Sequence, residues 1–170
     1  MGLQIRPCCC AAPGCLGNPF RCCANFPAQL DVTLPSGWSS SAGCTPCNIG
    51  GQTYTLSNFY SGALDTCFSP NNAAYIYLYV SPSAICGSYK LVISAGFGCH
   101  TGDAFDGQCH LSVAVWLLND ACGKGMQINY AALPIPDTVC FNSPWTVPFL
   151  SVSGANCNFT TSGPLTIAAH

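Results

Sequence analysis

The chain has 170 residues, of which only 6 % are charged: two Lys, two Arg, six Asp and no Glu, for a net charge of -2. That length makes one domain with room for a sizeable core. Four scattered cations cannot build the basic patch that neutralises phosphates, so the composition excludes nucleic acid as a partner.

Residues 1–27 carry no hydrophobic period. Six cysteines of "PCCCAAPGCLGNPFRCC" sit there among Pro7, Pro13, Pro19, Pro27, Gly14 and Gly17, which predicts an irregular N-terminal arm. From residue 28 the pattern changes to short alternating segments. "AQLDVTL" (28–34) sets Leu30, Val32 and Leu34 against Asp31 and Thr33, the mark of a half-buried strand. "QTYTLSNF" (52–59) repeats it. "AYIYLYV" (74–80) places Tyr75, Tyr77 and Tyr79 on one face and Ile76, Leu78 and Val80 on the other, so both faces need cover.

"YKLVISA" (89–95), "HLSVAVWLL" (110–118), "MQINYAAL" (126–133), "VPFLSVSG" (147–154) and "GPLTIAAH" (163–170) complete the series. Eight short strands between Gly, Pro, Asn and Ser turns predict an all-β, antiparallel β-sandwich over 28–170, with 1–27 as its Cys-rich arm. Thirteen prolines argue against helices throughout. The longest apolar run, "LSVAVWLL", is far short of the ~20 residues of a membrane-crossing helix, and no membrane partner is expected.

Fifteen cysteines reach the density of disulfide scaffolds, which belong to oxidising surroundings. "MGLQIRPCCC" lacks the apolar stretch of a secretory signal. One resolution is release without the secretory route, as when a phage particle assembles in the cytoplasm and meets oxygen after lysis. Metal-bound thiolates in a reducing cytosol, or a signal already removed, are the alternatives. Cys44 and Cys47 form a C-x-x-C, and disulfides among Cys22, Cys23, Cys44 and Cys47 are the first reading. A structural zinc thiolate built from the same four is the second. In "GCHTGDAFDGQCH" (98–110), Cys99 and His100 point to opposite faces if the segment is extended, so a Cys99–Cys109 bridge closing the loop is simpler than a metal site. Asp103 and Asp106 of the same loop lack the spacing of a calcium-binding helix-loop-helix.

Catalysis needs a nucleophile beside a base, or two carboxylates in different environments. Three His, no Glu and Asp residues in turn-like contexts offer neither, and no hydrolase, metalloprotease or phosphate-loop motif is present. We expect no enzyme and no cofactor. Tyr75, Tyr77 and Tyr79 are candidates for a protein interface, where tyrosine is enriched, or for the core of a central strand. So few charges also leave β-edges poorly defended, which suits a subunit covered by neighbours. Trp38 and Trp145, expected in loops, are candidates for glycan contact, whereas Trp116 reads as core.

"CCANFPAQLDVTL", "GCTPCNIGGQTYTL", "CGSYKLVIS" and "NSPWTVPFLSVSGANCNFTTSGPLTI" follow one another over residues 22–167. In this order they resemble an uncharacterised cysteine-rich β-domain family found in tailed-phage structural proteins and bacterial surface proteins. The resemblance implies a β-rich virion or surface component and carries over no catalytic residue. The resulting expectation is a phage capsid decoration (cement) protein on the virion surface, homo-oligomeric and bridging subunits of the major capsid protein. A tail-fibre or adhesin module that binds host glycans is the alternative, as is an extracellular or cell-surface sheath protein.

Overall fold

The computed structural model describes residues 27–36, 39–40, 49–58, 64, 67, 73–99, 109–134, 144–153, 159–160 and 163–170. The arm proper, 1–26, lies outside them. The described chain is built of β-strands: β1 (Gln29–Thr33), β2 (Ser39–Ser40), β3 (Thr53–Asn58), β4 (Ala73–Val80), β5 (Lys90–Cys99), β6 (Cys109–Leu118), β7 (Lys124–Pro134), β8 (Trp145–Val147), β9 (Phe149–Ser153), β10 (Phe159–Thr160) and β11 (Leu165–Ala169). Each segment read as a strand from its alternation is one. The 147–154 segment is two half-strands, and the two-residue β2 and β10 carry too little pattern to be found.

Nine strands form one antiparallel sheet in the order β8-β11-β1-β3-β4-β5-β6-β7-β9. The two ends of that order, β8 and β9, are separated in the chain by Pro148 alone. A flat sheet cannot place its opposite edges one residue apart, so the sheet curls until they meet. β8 pairs with β11 (Val147 opposite Leu165) and β9 with β7 (Ser151 opposite Asn129), and the Pro148 carbonyl accepts a 2.8 Å bond from the Ala131 N–H. The nine strands therefore make eight staves of an up-and-down barrel, each beside its sequence neighbours. This corrects the expected sandwich: the all-β antiparallel character holds, but one sheet closes on itself where two were expected to stack. Register shifts on β4–β5, β6–β7 and β7–β9 supply the local bends that curvature requires.

Eight staves enclose a space that side chains can fill. Leu30, Leu56, Tyr77, Ile93, Val115 and Ile128, from six different staves, are fully buried in the interior cluster. Ile49, just before β3, joins that cluster, and its carbonyl accepts a 3.0 Å bond from the Tyr54 hydroxyl. Gly51, at a φ of 68°, turns the chain from this residue into β3, and its N–H bonds back to the Leu34 carbonyl.

Among the described residues the shortest ladder of the nine-stranded sheet is between β3 and β4, with Ser57 opposite Leu78 and Asn58 opposite Tyr77. Where these staves part, the Tyr54 and Tyr79 rings meet at a 55° tilt, 4.9 Å between centroids. Burial and the neighbouring Tyr79 hydroxyl push the Tyr54 hydroxyl up to about 12. Closure also revises the reading of the sparse charge. The sheet protects its edges by pairing them with each other, so coverage by neighbours is not required for that purpose.

Candidate interaction surface

Alternation along each stave divides the barrel into an apolar interior and an exterior that differs from side to side. On β8, β11, β1 and β3 the exterior is hydroxyl-rich. Thr53 stands opposite Thr33, Thr33 opposite Thr166 and Thr166 opposite Thr146, so one row of four threonines crosses four adjacent staves. Thr33 and Thr53 share a 2.8 Å hydroxyl–hydroxyl bond. Thr53, Thr146 and Thr166 are exposed and Thr33 is half-buried. Uncharged side chains of this kind hydrogen-bond a partner at small desolvation cost.

Beside that row, Asp31 receives a 2.6 Å bond from the Thr55 hydroxyl on one carboxylate oxygen, and its other oxygen lies 3.1 Å from His170 Nε2. The backbone holds His170 in place through bonds from Ala28 N–H to its carbonyl and from its own N–H to Gln29. A hydroxyl, an imidazole and a carboxylate are the parts of a nucleophilic triad, but the order is wrong. Hydroxyl and imidazole both bind the carboxylate, so the imidazole is not placed between them to take the Thr55 proton. Among the described residues no three His, Cys, Asp or Glu side chains converge as metal ligands do.

On β4, β5 and β6 part of the exterior is apolar. Leu78, Val92 and Leu118 form a second cluster outside the barrel, with Val80 and Trp116 at its margin, and buried Leu64 packs onto it. Cys67 follows Leu64 by one turn, its N–H bonded to the Leu64 carbonyl at 3.0 Å, and a disulfide joins Cys67 to Cys122 in the β6–β7 turn. Sequence reading missed this bridge, whose partners are 55 residues apart in unrelated segments. It also missed Cys86, which is disulfide-bonded and buried in the interior cluster.

Tyr77, one of the three interface candidates, is instead fully buried, its hydroxyl bonded to the Pro27 carbonyl at 3.0 Å. Tyr79 is half-buried against Tyr54, and the Tyr75 side chain lies outside the described residues. The tyrosine face of β4 thus turns inward, and its aliphatic face is the one that needs a cover. Cys99 and Cys109 stand directly opposite each other at the end of the β5–β6 ladder, with side chains outside the described set. Cys22, Cys23, Cys44 and Cys47, the disulfide or zinc candidates, lie outside the described residues, as do His100, Asp103, Asp106 and Trp38.

Two aromatic assignments are reversed. Trp145, expected in a loop, stands in β8 and packs against the interior cluster. Trp116, expected in the core, is half-buried on the exterior, donating from Nε1 to Ser94 Oγ at 2.9 Å, with Lys124 Nζ 4.6 Å from its ring centroid. Next to it Gln127 donates to Asn129 across 2.5 Å.

The interior is apolar and the described exterior includes Asp31, Thr33, Thr53, Thr55, Gln127 and Asn129, the inverse of a barrel whose outer face meets lipid. Comparison of the chain with protein-family models, with curated proteins and with solved structures found no match in any of the three.

Proposed function

We propose that this protein is a structural component of a virion, a decoration protein that sits on a phage capsid and bridges neighbouring subunits of the major capsid protein as a homo-oligomer. The observation that carries the reading is the four-threonine row on one side of a barrel whose interior is occupied by its own side chains. Interface centres are depleted of charge, and this face has none along the row. The disulfides suit a subunit that must stay folded outside the cell. The resemblance of the sequence motifs to tailed-phage structural proteins points the same way.

The test replaces Thr33 and Thr166, at the centre of the row, by lysine and measures occupancy on purified particles together with the circular dichroism of the free protein. The expected result is an unchanged fold with at least tenfold lower occupancy. Full occupancy of the T33K/T166K protein, or absence of the wild-type chain from purified particles, sinks the reading.

A glycan-binding module is the second reading, favoured by Trp116 on the exterior beside Ser94, Gln127 and Asn129. Sugars stack on aromatic rings and hydrogen-bond to amides and hydroxyls, and glycan binding abolished by Trp116→Ala would support this reading over the first.

A further inference from the structure

The exterior of β4–β6 would expose Leu78, Val92 and Leu118 if nothing lay on it, and Leu64 does. Leu64 is fixed to Cys67 by one backbone hydrogen bond, and Cys67 is fixed to the barrel by its disulfide to Cys122. Unlike Cys86, which is 1 % exposed in the interior cluster, both Cys67 and Cys122 are only half-buried, so a small thiol can approach them.

Two features make this bridge more reactive than a buried one. Cys122 has a φ of 60°, a left-handed conformation that costs a side-chain-bearing residue energy and that it is free to leave once released. The chain's two lysines, Lys90 and Lys124, stand opposite Leu118 on its two sides, and Lys124 is two residues from Cys122. Asp120 lies 3.5 Å from Lys90 and Asp65 stands two residues before Cys67, so these charges balance and Lys124 is the cation next to Cys122 in the chain. A lysine this near in the chain stabilises a departing Cys122 thiolate.

We propose that Cys67–Cys122 is a thiol–disulfide exchange site that controls the apolar exterior of β4–β6: oxidised, it clamps Leu64 over Leu78, Val92 and Leu118; reduced, it lets that face open. A thiolate attacks one sulfur of the bridge, forming a mixed disulfide and expelling the other cysteine as thiolate. A second thiolate attacks the mixed disulfide, releasing the oxidised small-molecule disulfide and the remaining cysteine. Two thiols lose two electrons to the bridge, and their protons end on Cys67 and Cys122.

The native protein is treated with graded dithiothreitol, alkylated and mapped by mass spectrometry. Cys67 and Cys122 are expected to label at reductant concentrations at least tenfold below those that label Cys86. Labelling of Cys86 first, or of all three together, overturns the exchange site. A second measurement asks whether the bond controls the face. A Cys67→Ala/Cys122→Ala protein, or the selectively reduced wild type where that variant does not fold, should keep the barrel's circular dichroism and bind an apolar fluorescent dye at least threefold more than the oxidised protein. Unchanged dye binding overturns the clamp, because Leu64 would then stay docked without the bond. Loss of the barrel signal on selective reduction overturns it as well, because the bridge would then support the whole fold.

Discussion

Val147 and Phe149 are separated by one residue, yet they belong to strands that seal opposite edges of the same sheet. Val147 faces Leu165 on β11, and Phe149 faces Tyr130 on β7, its ring meeting the Tyr130 ring edge-on at 6.2 Å. Closure of the barrel therefore depends on the length of the link at Pro148. Inserting a single glycine between Pro148 and Phe149 should turn β8 over relative to β9, sending the buried Val147 and the core-packed Trp145 outward. We expect the insertion to cost several kcal/mol, since a slipped stave exposes two or more core side chains at ~1.5–3 kcal/mol each. A melting temperature within a few degrees of wild type would show that closure tolerates slack there.

Tyr77 ties β4 to the start of β1 through its hydroxyl on the Pro27 carbonyl. Tyr77→Phe keeps the ring and leaves that carbonyl without this donor, at a cost of about 1–2 kcal/mol. Tyr77→Ala also opens a cavity at a fully buried site and should cost roughly 3–5 kcal/mol. Denaturant titration of both variants separates the two contributions. Equal losses would mean that the hydroxyl carries the effect and the ring does not.

Tyr54 keeps its proton in the folded protein up to about pH 12, against 10 for the exposed phenol. Between those values the unfolded chain loses a proton that the folded chain retains, so stability falls as pH rises from about 10 towards 12 and is unaffected below. In Tyr54→Phe that part of the alkaline loss should vanish. Stability measured from pH 8 to 12 on both proteins, and ultraviolet titration showing one fewer late-ionising tyrosine in the variant, are the checks. Identical alkaline profiles would count against the assignment.

Asn119 organises the β6–β7 turn: its Oδ1 accepts from Ala121 N–H at 3.1 Å and Gly123 N–H at 2.7 Å. Asn119→Ala should cost about 1–2 kcal/mol. A Cβ on Gly123 would lie 2.8 Å from the Asn119 side chain, so Gly123→Ala must expel the same group. The two changes remove one interaction, and the double variant should therefore lose less stability than the singles added together. Strict additivity in thermal unfolding would rule out this shared cause.

Period-two alternation was enough to find the staves, because a strand half-buried against one core must repeat every second residue. It also showed that β4 has two faces in need of cover, without deciding which one points inward. Alternation says which side chains share a face but not which strands are neighbours, and the step from sandwich to barrel rests on a pairing across Pro148 that no local pattern encodes. The same limit hid the bridge between Cys67 and Cys122: spacing carries no information on connectivity when fifteen cysteines compete and the partners meet only after the three staves between them have been laid side by side. Trp116 read as core because its neighbours are apolar, but on β6 both faces are covered, one by the barrel interior and one by Leu64. Composition and alternation determined the class of fold. The closed sheet decided which faces point inward and which outward, because only closure separates an inside from an outside.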